Sequence, residues 1–152
     1  MARYAPYILW AHVPVIAMSG WAANAEVDAT LVGISALLAL AAHLVAKLRG
    51  DADVTLHIIA IAFMAQIALI VASLEGHPWQ LDMHMYFFAG LAMLAFALHF
   101  PSLITATAFI AVHHLGLNFL LPELVYPGGA SLGRVVLHAG IVILEVSVLI
   151  AL

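Results

Sequence analysis

Cysteine is absent, and charge is scarce: four Lys plus Arg and eight Asp plus Glu make up 8% of the 152 residues. Without thiols the chain has no disulfide, iron–sulfur cluster or thiolate metal site. With a formal net charge of −4 and no basic patch it cannot neutralise phosphates, so nucleic acid is excluded as a partner. Soluble domains carry about 25% charged and 45–50% apolar residues. Here 66% are hydrophobic. Polar groups this sparse cannot cover a surface in water, so the lipid bilayer is the expected solvent.

Against the four cations stand nine histidines. Ionisable groups inside a membrane are costly and mark function by default. The longest polar interruption is Glu75 to Phe88, which holds two histidines, two carboxylates, Trp79 and Tyr86.

A spanning helix needs roughly 17–25 mostly apolar residues. On that rule six segments are expected, at Tyr4–Trp21, Ala29–Leu48, Val54–Leu74, Leu81–His99, Pro101–Leu121 and Leu132–Leu152. The fold class is therefore an all-α integral membrane bundle, one domain over residues 1–152. Ala23-Asn24-Ala25 resembles a signal-cleavage site. His12 and Pro14 do not suit a signal core, so the first segment is read as a membrane helix. Gly50 suits a helix C-cap, and Pro101 a helix start. Arg3, Lys47 and Arg49 fall on one side of alternating helices, and Glu26, Asp28, Glu75, Asp82 and Glu123 on the other. Positive-inside bias then sets both termini in the cytoplasm. Arg134 is the exception.

Helical rise of about 1.5 Å per residue sorts the histidines by depth. His84 is about one turn inside the fourth segment, and His113-His114 lie roughly 10 Å before the end of the fifth. His138 is six residues after Leu132, so three helices deliver imidazole to one layer. Arg134, His138 and Glu145 fall within about 40° on the sixth helix. Thr107, His114 and Asn118 form a similar stripe on the fifth, from which His113 points about 100° away. His43, His57 and His99 belong near the opposite interface and are read as structural. His12 lies near the middle of the first helix, able either to bond a neighbour or to reach the site.

Neutral imidazole is the commonest side-chain metal ligand. The candidate ligands are His84, His113, His114 and His138, with His12, His77, Asp82 and Glu145 as additional ones. Nitrogen and oxygen ligands suit copper, zinc or iron rather than calcium or magnesium. Tyr86, Asn118 and Arg134 are candidates for orienting them. Histidine pairs across helices also suit a b-type haem, with Gly90, Gly116 and Gly140 leaving room for a porphyrin.

Asp82-Met83-His84-Met85-Tyr86-Phe87-Phe88, Ala111-Val112-His113-His114-Leu115, Val136-Leu137-His138-Ala139 and Ala11-His12-Val13-Pro14 carry a family resemblance. The chain resembles the histidine-rich six-helix membrane module that begins bacterial chemotaxis receptors, diguanylate cyclases and some histidine kinases. Relatives often have histidine where Tyr86 stands. The resemblance implies a sensor in the bacterial inner membrane rather than an enzyme. It also implies a cytoplasmic signalling domain or protein as partner, and a homodimer. The alternatives are a b-type cytochrome for redox sensing or electron transfer and a membrane metal-dependent oxidase.

Overall fold

A computed structural model describes residues 5–48, 51–96 and 99–152. The expected starts at Tyr4 and the Gly50 cap, with Arg3 and Arg49, lie outside the described residues. The described chain is helical with no strand. In order come α1 (Ala5–Asn24), α2 (Ala29–Leu48), α3 (Ala52–Ser73), α4 (Trp79–Met83), α5 (Met85–Ala95), α6 (Phe100–Leu120) and α7 (Leu132–Ala151), with one 3-10 turn at Pro122–Leu124. Among the described residues four helices, α2, α3, α6 and α7, are long and apolar enough to cross a membrane. That is the signature of a membrane protein. The other expected segments differ: α1 is one continuous 20-residue helix whose apolar content is diluted by His12, Pro14, Ser19 and Asn24, and the fourth is broken.

The break falls on His84. Its side chain donates from Nδ1–H to the Gln80 carbonyl at 2.9 Å, while its backbone N–H turns to Leu81 O at 3.2 Å. That tighter, i−3 pairing is a 3-10 step, and it separates the five-residue α4 from the eleven-residue α5.

The core runs along α3, whose Ala60, Met64, Ile67 and Val71 are fully buried. It meets α1, α2, α5 and α6. Gly90 is where α5 comes close to α3: a Cβ there would stand 2.8 Å from Ile67 Cδ1 and 2.9 Å from Met64 Cε. The expectation that Gly90 leaves room for a porphyrin is thereby corrected, since that space is already filled by α3. A buried amide fastens the first three helices. Gln66 Nε2 donates to Leu9 O and to Ser35 O, each at 3.0 Å. α7 packs on α5 and α6 alone among the helices it meets closely.

One end of the bundle gathers three connections. Asn24 Nδ2 donates to Ser73 O, and Gln80 Nε2 donates to Glu123 O at 2.7 Å. The histidine site hangs from this end.

Candidate functional site

His84, His114 and His138 stand on three elements, the α4–α5 break, α6 and α7. Each is fixed in the same way: Nδ1–H donates to the carbonyl four residues back, Gln80 at 2.9 Å, Ile110 at 2.9 Å and Arg134 at 3.0 Å. A carbonyl can only accept, so in each neutral ring the lone pair is left on Nε2. His84 and His114 are 2% and 3% exposed, and their Nε2 atoms are buried without a partner. A buried acceptor left unmade costs about 1–3 kcal/mol. Here two such acceptors stand on neighbouring rings.

The ring centres form a nearly equilateral triangle. His84–His114 is 5.6 Å, His84–His138 5.7 Å and His114–His138 5.6 Å. An ion held by imidazole nitrogens at about 2.0–2.1 Å keeps ring centres roughly 3 Å away, and three such rings roughly 5–6 Å apart. The ring-centre spacing falls within that range. Among the described residues no group of three or more His, Asp or Glu is arranged to hold a metal ion.

Tyr126, which the sequence reading did not single out, completes the cage. It is fully buried. Its ring stacks on His84 at 5.5 Å and 11°, and lies 5.7 Å from His138 and 6.2 Å from His114. The loop is bent back by Gly128 and Gly129 at φ +88° and +86°, left-handed conformations that suit glycine. Gly129 N–H donates to Tyr126 O at 3.1 Å. Burial pushes the Tyr126 hydroxyl up to about 12, with the Arg134 guanidinium pulling the other way. It is a neutral donor, and its buried oxygen has no partner.

The remaining candidates fall elsewhere. His113 lies beside His114 at 5.1 Å, between Phe87 and Phe109, and outside the triangle. Its Nε2 is also buried and unpaired. His12 is taken: Nδ1–H donates to Ile8 O at 2.8 Å, and Nε2 accepts from the Tyr86 hydroxyl at 2.7 Å. Tyr86 thus orients His12 rather than His84. Asp82 is exposed. His77 accepts from Trp79 N–H at 3.2 Å in the turn before α4. Glu145 is two turns further along α7 than His138, with Oε2 buried and unpaired. Asn118 Oδ1 accepts from Ser131 N–H at 2.7 Å, and Arg134 donates to Pro127 O at 3.2 Å. Both hold the loop that carries Tyr126.

A cavity of about 300 Å³ adjoins the triangle, lined by His84, His114 and His138 together with apolar side chains of α5, α6 and α7. No protein-family model, curated protein or solved structure matches the chain.

Proposed function

We propose that this chain is the input domain of a membrane sensor and binds one transition-metal ion, copper, zinc or iron, through His84, His114 and His138. The observation that carries the reading is the triangle of imidazoles, all three anchored through Nδ1 and two of them, His84 and His114, with a buried Nε2 left unpaired. Three neutral nitrogens need no buried counter-charge until metal binds, which suits a low-dielectric interior. A single three-imidazole set falls short of a dinuclear oxygen-activating centre, which favours sensing over catalysis.

In this reading the chain crosses the inner membrane six times with both termini in the cytoplasm, α4 and α5 together making the fourth crossing. The site then lies in the periplasmic half. Among the described residues α7 carries His138 and packs mainly on α5 and α6, so a change in ligation at the triangle has one helix to move. Its far end passes that movement to a cytoplasmic signalling domain or partner, in the manner of the six-helix modules it resembles. A second copy of the chain is the expected companion.

Elemental analysis and an absorbance spectrum on one purified sample test the metal. One ion per chain without an intense Soret band supports the reading, and a Soret band or no bound metal contradicts it. A reporter fused after Leu152 tests topology: activity on the periplasmic side would overturn it.

A further inference from the structure

The cavity runs along α6 and α7 past the triangle, from Leu132 and Val135 at the loop end to Thr107 and Ile143 at the other. His114, Ile110 and Thr107 line it on α6, and His138, Val142 and Ile143 on α7. Seven residues of helix put its far wall roughly 10 Å from the imidazoles. Tyr126 is not part of the lining. Its mouth lies between α6 and α7, rimmed by Ala111, Leu115, Val136 and Ile143, all exposed and apolar. In a bilayer that rim faces acyl chains. The inner wall is Phe87, Ile110, Val135 and Val142. Its hydroxyl, on Thr107, is spent on Leu103 O at 2.8 Å.

We propose that this cavity admits a small, neutral, lipid-soluble molecule, such as a dissolved gas or short hydrocarbon, from the bilayer to the triangle. The inference rests on the metal reading for the inner end of the cavity, but not for the cavity itself. An apolar void of about 150 Å³ stays dry and takes xenon or benzene, so the space here is ample. An ion or water-soluble ligand has no polar partner along the route. A lipid acyl chain would leave the Nε2 atoms of His84 and His114 unpaired, whereas a metal satisfies them and leaves the apolar space free.

The test uses the full chain in lipid nanodiscs with labelled Ile, Leu and Val methyl groups, pressurised with xenon. Val135, Val142 and Ile110 should shift saturably, and well beyond Leu37, which faces lipid on α2 at 66% exposure. Shifts no larger than at Leu37 would overturn the proposal and mean that an acyl chain or a second copy fills the groove. In copper(I)-loaded protein, carbon monoxide binding is read by infrared absorption. Ala139→Phe should weaken it by at least about tenfold while metal stoichiometry stays unchanged. Unchanged carbon monoxide affinity would refute the route. Failure to load copper would count against the metal site alone, with the xenon result still deciding the cavity.

Discussion

His12 and His114 are the same side chain used to opposite ends. Both sit buried on a helix, and both give Nδ1–H to the carbonyl four residues back. At His12 a phenol arrives from α5 and donates to Nε2. At His114 nothing does, and two further imidazoles gather around the same gap. At the far end of the bundle His57 Nδ1 bonds Thr105 at 2.7 Å, while His43 Nδ1 is buried without a partner. His99 accepts from Ser102 N–H through Nδ1, and its Nε2 lies 3.4 Å from Asp53. What sets His84 and His114 apart is thus a buried, unpaired Nε2 together with two neighbouring imidazoles, rather than depth or burial alone.

The strongest way to break this contrast is to delete rings. His114→Ala or His138→Ala should abolish stoichiometric metal, a larger loss than the roughly 10–100-fold that follows removal of an outer partner. His57→Ala and His43→Ala should bind as the parent does. Equal retention by all four variants would void the distinction. Tyr126→Phe and Tyr86→Phe come next. Removing the Tyr86 hydroxyl strands His12 Nε2 and should lower stability by about 1 kcal/mol. The Tyr126 hydroxyl has no partner to lose, so Tyr126→Phe should leave stability of the metal-free protein nearly unchanged, as thermal or denaturant unfolding would report. The smallest effect is spectroscopic. The Tyr126 phenolate, isolated by difference against Tyr126→Phe, should form only as pH approaches about 12. Ionisation at the ordinary tyrosine value near 10 would mean that the loop is open to water.

The sequence made α2, α6 and α7 legible almost to the residue, because long apolar runs bounded by Gly, Pro and Asp leave little choice. The meeting of His84, His114 and His138 followed from helical rise alone, since three antiparallel elements share one end. Facing was partly legible: the stripe of Thr107, His114 and Asn118 sets His114 about 100° from His113, and the docking of α6 turns His114 into the triangle and His113 toward Phe109. The break at His84 was hidden, because no Pro or Gly stands between Leu81 and Ala89 to mark the end of a helix. Tyr86 was read as support for His84. Its partner lies 74 residues away, beyond any local pattern. Tyr126 carried a faint signal, an aromatic just before Pro127-Gly128-Gly129, where a left-handed turn can fold a loop residue inward.

X-ray absorption at the metal edge of the loaded protein tests the central claim most directly. Three imidazole nitrogens at about 2.0–2.1 Å, reduced to two in His138→Gln and unchanged in His12→Gln, are the predicted result. Ligation that is indifferent to His138, or that loses an imidazole with His12, would contradict it.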